Sequence, residues 1–225
     1  PDHHSIVGYP KFEVFGDRPP VRLFANDRPT VLYNPHFDPL LSSWFRFGEQ
    51  VLDHFAGQTD YNLIFAPHVM LFQRRVLASD EHRLLRFRQS IDPRYAALDH
   101  MHIDTGSPRS VDMTYTNAAD IYLGDVSSQI YEFIRTPRPA IFLNSHAAEW
   151  RGNANYEHWT LGPVLDDIAD LAPTLADVTP LPETYRAAQA QAFAYSFDMD
   201  HRQPPSHRAA AAITEFLMRP KPDQP

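Results

Sequence analysis

The stretch "DIYLGDVSSQIYEFIRTPRPAIFLN", residues 120–144, places two serines at the junction between an apolar run and a helical segment. Apolar runs occupy residues 120–123 and 140–143, and the segment between them has apolar side chains at helical spacing. Short, nearly continuous apolar runs are typical of strands that are buried on both faces of a parallel sheet. The stretch therefore predicts a strand, a turn, a helix that begins near Ser127 and Ser128, and a second strand.

The same pattern recurs along the first two thirds of the chain. Further candidate strands lie at residues 30–33, 61–66 and 101–103, and an amphipathic helical segment separates the first two of them. Alternating strands and helices predict an α/β fold, a Rossmann-like doubly wound parallel sheet with right-handed crossovers. After about residue 145 the sequence predicts a long loop and extra C-terminal helices near residues 165–176, 182–194 and 206–218.

The composition is that of an ordinary globular chain and excludes several classes of function. Of 225 residues, 43% are hydrophobic and 21% are charged, and 20 basic against 28 acidic residues give a formal net charge of −8. An acidic chain without a basic face argues against a general nucleic-acid binder. The absence of cysteine excludes disulfides, thiolate metal sites and cysteine nucleophiles. No apolar run approaches the length of a membrane span.

Several polar residues follow predicted strands and should meet at one edge of the sheet. Ligands of open parallel sheets bind beyond the carboxyl ends of the strands, and unpaired N–H groups at a helix start suit phosphate. Ser127 and Ser128 lie at such a start, and His36 and His68 follow the first and second strands. Serines often only cap helices, and a lone histidine after a strand is often structural. Their convergence on one edge favours an anion site.

A metal site is a rival interpretation of another segment, "DHMHID". His100, His102 and Asp104 alternate along a predicted strand, and His-x-His pairs can ligate zinc. Nothing else in the segment provides the context that such a motif needs, so solvated histidines are the favoured interpretation. We expect neither a metal nor a cofactor.

Residues 118–144, "AADIYLGDVSSQIYEFIRTPRPAIFLN", match position by position a family pattern that reads roughly "ADxxITDYSSxxFDF", then a loop and a "RPIIFY" strand. Three other segments match the same family, namely "VGYPKFEVF" (its "GYPRxD"), "EWRGNANYEHWTLGP" and "SHRAAAAITEFL" (its "SxRxxxxI"). The chain thus resembles the C-terminal domain of the CDP-glycerol glycerophosphotransferases, teichoic-acid-type enzymes with a two-domain GT-B architecture. A more distant resemblance is to UDP-N-acetylglucosamine 2-epimerase.

The resemblance implies specific roles at the predicted edge. The donor's diphosphate would sit at the start of the helix after Asp125, held by the backbone and hydroxyls of Ser127 and Ser128, with Asp125 among the substrate-binding residues. His68 would contact the transferring or leaving phosphate, and His36 would lie near the acceptor side of the cleft. These two histidines are the catalytic residues that the resemblance implies.

Other substrate-binding residues follow from the same matches. Glu132 falls where the epimerase holds the ribose, whereas teichoic-type enzymes usually carry Asp there. Arg151 matches the Arg-Gly of the family's loop, and Ser206 and Arg208 match the serine and arginine of its last motif. The chain departs from the family at Val69, which replaces the proline of an "HP" motif, and at "HRQPPSHR", which replaces "DGxASxR".

The resemblance also implies a domain organisation. Residues 1–20 would be a linker from a missing N-terminal domain, residues 21–218 one nucleotide-donor-binding domain, and residues 219–225 a disordered tail. The expected function is a transferase half with a CDP-glycerol, CDP-ribitol or nucleotide-sugar donor, cytoplasmic, with peripheral membrane association through the missing part. The alternative is a degenerate, non-catalytic scaffolding domain.

Overall fold

A computed structural model describes residues 4–79, 83–198 and 202–219 of the chain. It contains a six-stranded parallel sheet and a separate antiparallel hairpin. The sheet strands are β1 (Thr30–Asn34), β2 (Asn62–Phe65), β5 (Met101–Ile103), β6 (Ile121–Gly124), β7 (Ala140–Leu143) and β8 (Val164–Leu165). The hairpin strands are β3 (Val76–Ser79) and β4 (Leu84–Phe87).

The order of the strands creates a crevice at the centre of the sheet. The order is β5-β2-β1-β6-β7-β8, so the chain builds outward from β1 in one direction and then returns to add β6 on the other side of β1. This is the strand order of doubly wound nucleotide-binding domains, in which ligands bind at the point where the direction reverses. The reversal point of this chain lies between β1 and β6.

Helices cover both faces of the sheet. They are α1 (Lys11–Phe15), α2 (Trp44–Ala56), α3 (Met70–Gln73), α4 (Thr114–Ala118), α5 (Gln129–Phe133), α6 (Leu171–Asp177), α7 (Glu183–Phe197) and α8 (Pro205–Met218). Alternate residues of β1 point to opposite layers: Val31 and Tyr33 pack with α2 and α6, and Leu32 packs with α5. The predicted α/β Rossmann-like fold is confirmed.

The five predicted strands agree with the structure to within about one residue, but the connections differ from prediction. The helix after Ser128 has only five residues, because Pro137 and Pro139 follow closely and cannot continue it. The hairpin and β8 were not predicted. Residues 165–176 do not form one helix: β8 ends at Leu165, a turn capped by Asp167 follows, and α6 begins at Leu171.

The N-terminal segment packs on the domain. Phe12 is buried and its ring contacts the rings of Phe193 and Phe197 on α7. Residues 220–225, most of the expected tail, lie outside the described residues. Within the described ranges, no helix combines the length and apolar character needed to span a membrane.

Candidate active site

Asp125 organises the loops at the reversal point rather than facing outward. Its side chain is fully buried at the end of β6. One carboxylate oxygen accepts from the His36 N–H at 2.9 Å, and the other accepts from the N–H and Oγ of Ser43 at 2.6 and 2.8 Å. Burial raises the pKa of Asp125 to about 6, although these donors act to lower it. This corrects the expectation that Asp125 contacts substrate directly, because its side chain holds the loop after β1 against the turn between β6 and α5.

His36 and His68 meet above the ends of β1 and β2. Their ring centroids are 5.8 Å apart, and the ring of Phe37 contacts both, at 4.5 and 4.6 Å. The Nδ1 atom of His36 accepts from the Asp38 N–H at 3.0 Å, and that of His68 accepts from the Met70 N–H at 3.3 Å. A neutral imidazole that accepts at Nδ1 carries its proton on Nε2. Both histidines therefore have Nε2–H groups to donate.

Both imidazoles are held in the neutral state. Burial, and secondarily the neighbouring His68, lower the pKa of His36 to about 4. Burial also lowers the pKa of His68. At neutral pH the pair therefore provides hydrogen-bond donors without positive charge.

Asn34 connects the histidine loops to the serine turn. Its amide donates to the Ala66 carbonyl at 2.6 Å, which fixes the chain two residues before His68. Its side-chain oxygen accepts from the Ser127 hydroxyl at 3.2 Å. Asn34 was not predicted from the sequence; the available signal was a polar residue that ends the buried strand β1.

The serine turn leaves backbone donors available. Ser127 Oγ accepts from the Gln129 N–H at 3.3 Å, while Ser128 is exposed and its side chain does not cap α5. Among the described residues, the N–H groups of Ser127 and Ser128 have no hydrogen-bond acceptor. The turn and the two histidines thus lie at the same sheet edge with free donors, as the sequence predicted.

Glu132 faces the N-terminal segment. Its Oε1 accepts from Tyr9 OH at 2.9 Å and from Lys11 Nζ at 2.6 Å. Its Oε2 is buried and has no donor in the described part of the chain. The resemblance implied that Glu132 binds a ribose. In the structure Tyr9 and Lys11, which belong to the segment expected to be a linker, cover its carboxylate.

Three other predicted binding residues lie in the loop after β7 and on α8. Arg151 is exposed in the loop after β7, with its guanidinium 4.6 Å from the Trp150 ring centroid. On α8, the Ser206 hydroxyl donates to Glu13 at 2.6 Å, and Arg208 pairs with Asp198 at 2.7 Å. Ser206 and Arg208 therefore bind other parts of the chain.

The segment "DHMHID" does not form a metal site. His100 is buried, and its Nε2 lies 3.0 Å from the Phe55 carbonyl in the α2 layer. His102 instead lies 3.0 Å from the hydroxyl of Tyr115, which belongs to the opposite layer and donates to Asp104. Across residues 4–79, 83–198 and 202–219, no group of three or more histidines or carboxylates could hold a metal ion.

The 3-10 turn at Ala154–Leu161, which follows β7, packs against the turn between β6 and α5. His158 Nε2 lies 3.3 Å from the Asp125 carbonyl, and Trp159 Nε1 donates to the same carbonyl at 3.1 Å. Both side chains are buried, and burial lowers the pKa of His158 to about 4.

This shift predicts that His158 contributes to the pH dependence of stability. In the unfolded chain His158 takes up a proton near its ordinary pKa of 6.5, whereas the folded chain resists until about 4, so stability falls as pH decreases through that interval. His158→Gln keeps a donor for the Asp125 carbonyl and cannot titrate. Urea unfolding should show that wild type loses about 2–3 kcal/mol more than the variant between these pH values. Parallel pH profiles would contradict the assignment.

Comparison with known proteins establishes the fold. No protein-family model and no curated protein matches the sequence. Among solved structures, the wall teichoic acid polymerase TagF matches with a TM-score of 0.55 and 17% identity over 87% of this chain and 45% of that one. The glycotransferase of kitacinnamycin matches with a TM-score of 0.50 and 12% identity over 91% of this chain and 46% of that one.

The chain has a glycosyltransferase-like fold. At these identities the likeness concerns the fold alone, and it agrees with the Rossmann-like domain of GT-B proteins that the sequence predicted. The chain spans less than half the length of either structure.

Proposed function

We propose that this chain is the donor-binding half of a GT-B transferase that uses a CDP-alditol or a nucleotide sugar in cell-surface polymer synthesis. The observation that carries the proposal is the pairing of His36 and His68, both with free Nε2–H groups, beside the Ser127 turn at the reversal point of the sheet. Donors arranged in this way suit a diphosphate. One matching TagF structure was soaked with CDPG, which supports a CDP-linked donor.

In this proposal the diphosphate is bound by hydrogen bonds rather than by a metal or a cationic cluster. The N–H groups of Ser127 and Ser128 and the Ser128 hydroxyl contact one phosphate, and the imidazoles of His36 and His68 contact the transferring phosphate and the oxygens of the leaving nucleotide. Fixed donors aimed where negative charge develops lower the barrier to group transfer. His36 and His68 are the catalytic residues, and Asp125 positions His36 through its backbone N–H.

Glu132 accepts a ribose hydroxyl in the same proposal. A buried acceptor without a donor is energetically costly, and Oε2 of Glu132 is such an atom among the described residues. A ribose hydroxyl would supply the missing hydrogen bond. Because Oε2 is enclosed, Tyr9 and Lys11 must shift for the ribose to reach it. Arg151, in the loop after β7, is the cation that we assign to the donor's charge.

The exposure of the site supports a half-site. Ser128 is exposed, and His36 and His68 are only partly buried. An open edge needs a second wall to exclude water, and a facing domain would provide it. We therefore propose that the chain binds donor without turnover on its own, and that it acts in the cytoplasm, at the inner face of the membrane.

Calorimetric titration with CDP, CDP-glycerol and UDP tests the proposal. We expect binding, and we expect Ser128→Ala to weaken it about threefold to tenfold, the usual cost of one hydrogen bond. Ser206→Ala is the matched control, since its hydroxyl is committed to Glu13; its affinity should equal that of wild type. If no nucleotide binds at millimolar concentration, the donor assignment fails and a scaffolding domain becomes the better interpretation.

A further inference from the structure

The β3–β4 hairpin has one face toward the core and one exposed face, and the proposed donor site does not account for the exposed face. In its antiparallel register Val76 lies opposite Phe87, and Ala78 lies opposite Leu85, so these four side chains share one face. On the opposite face Leu77 packs in the core and Ser79 is buried, while their partners across the ladder, Arg86 and Leu84, are exposed and half-buried.

The outer face is apolar and exposed. Val76, Leu85 and Phe87 are 45%, 61% and 79% exposed, and Ala78 between them is exposed too. Isolated exposed apolar residues are common, but a strand pair with one entirely apolar exposed face marks a docking surface.

Exposed arginines cluster at this hairpin in a chain that is otherwise acidic. Five exposed arginines lie within or next to the two strands: Arg74, Arg75, Arg83, Arg86 and Arg88. In the described part of the chain none of them forms a salt bridge with a carboxylate. Residues 74–88 contain two acidic residues, at positions 80 and 81, so the segment has a formal charge of 5 − 2 = +3 against −8 for the whole chain.

We propose that the outer face of the hairpin inserts into the surface of an anionic lipid bilayer. Leucine and phenylalanine enter the boundary between headgroups and acyl chains, and the arginines contact lipid phosphates. A second copy of the chain fits less well, because a symmetric contact would bring the two sets of arginines together. The sequence had assigned membrane contact to a missing part of the protein; this hairpin gives the chain a contact of its own.

The hairpin is close to the proposed site along the chain. His68 lies two residues before α3, and β3 begins three residues after α3 ends. The Arg88 guanidinium also donates to the carbonyl of Phe72 in α3 at 2.7 Å, which ties the end of β4 to that helix. Insertion of the hairpin would therefore hold the histidine edge near the lipid surface.

Co-sedimentation of the chain with vesicles tests the proposal. We expect binding to phosphatidylcholine vesicles that contain phosphatidylglycerol and little binding to phosphatidylcholine alone. Leu85→Ser combined with Phe87→Ser should reduce the partition coefficient by about tenfold or more, because it removes the inserted area. Arg75→Gln combined with Arg83→Gln should reduce it by about 25-fold, at about fivefold for each charge.

The matched control replaces exposed apolar side chains on another element, α8. Leu217 and Met218 on α8 are 73% and 80% exposed, so Leu217→Ser combined with Met218→Ser removes similar side chains without touching the hairpin and should leave partitioning unchanged. Equal binding to neutral vesicles would overturn the proposal, as would loss of binding only in the α8 variant. Insertion is also refuted if only the arginine variant loses binding. A dimer in sedimentation that the hairpin variants dissociate would assign the face to a second copy.

Discussion

Replacing Asp125 by alanine should lower the free energy of unfolding by about 3–5 kcal/mol, as expected when buried hydrogen-bond donors lose their common acceptor. The carboxylate is fully buried and accepts from His36 and twice from Ser43. Its removal leaves the N–H groups of His36 and Ser43 without an acceptor at the centre of the fold, whereas the Ser43 hydroxyl keeps its contact with Tyr33 OH. Urea unfolding followed by circular dichroism measures the effect.

Two other variants provide stability losses against which the loss for Asp125→Ala can be compared. Ser43→Ala removes one donor to Asp125 and the hydrogen-bond partner of the buried Tyr33 hydroxyl, and it leaves the Ser43 N–H in place, so we expect a loss of about 1–3 kcal/mol. Asp177→Ala removes an exposed carboxyl at the end of α6 and should change stability by less than about 0.5 kcal/mol. A loss for Asp125→Ala no larger than that for Asp177→Ala would show that Asp125 does not hold the loop.

Replacing His68 by alanine should weaken CDP-glycerol binding by about tenfold to 100-fold, and replacing His36 should do the same. Each imidazole donates from Nε2 to a phosphate oxygen, and hydrogen bonds to charged groups contribute about 1.5–3 kcal/mol. Calorimetry on variants with unchanged thermal unfolding measures this effect. His54→Ala is the control: His54 lies in the last turn of α2, whereas the loop that leads from His36 enters the first turn of that helix.

Two further measurements test whether the histidines bind the phosphate by donating hydrogen bonds. His68→Gln places an amide donor near the position of Nε2, so it should retain much of the affinity if the histidine donates to phosphate. Contact with phosphate stabilises protonated His36 and raises its pKa from about 4. CDP-glycerol affinity should therefore increase as the pH falls toward this raised pKa, with proton uptake on binding. Affinity that falls with decreasing pH would contradict this role.

The sequence predicted the sheet and the edge because both depend on local patterns. The runs that became β1, β2 and β6 are apolar enough to identify buried strands, and the carboxyl ends of parallel strands must share an edge. The positions of His36, His68 and Ser127 followed from this rule. Their spacing and protonation could not be predicted, because they depend on burial and on the loops.

The unpredicted features depend on contacts between residues that are distant in the chain. A polar residue after a strand can face a ligand or hold a loop, and only the positions of His36 and Ser43 showed that Asp125 does the latter. Glu132 meets Lys11 across 121 residues of sequence. The hairpin was missed because its outward apolar residues, interrupted by arginines, match neither a buried strand nor an amphipathic helix.

A crystal structure of the chain with CDP-glycerol bound tests the donor site most directly. We predict a diphosphate at the edge between β1 and β6, within hydrogen-bond distance of Nε2 of His36 and of His68 and of the N–H groups that open α5. Density for the nucleotide elsewhere, for example in the cavity that Tyr131, His158 and Tyr195 line, with both imidazoles free, would contradict it.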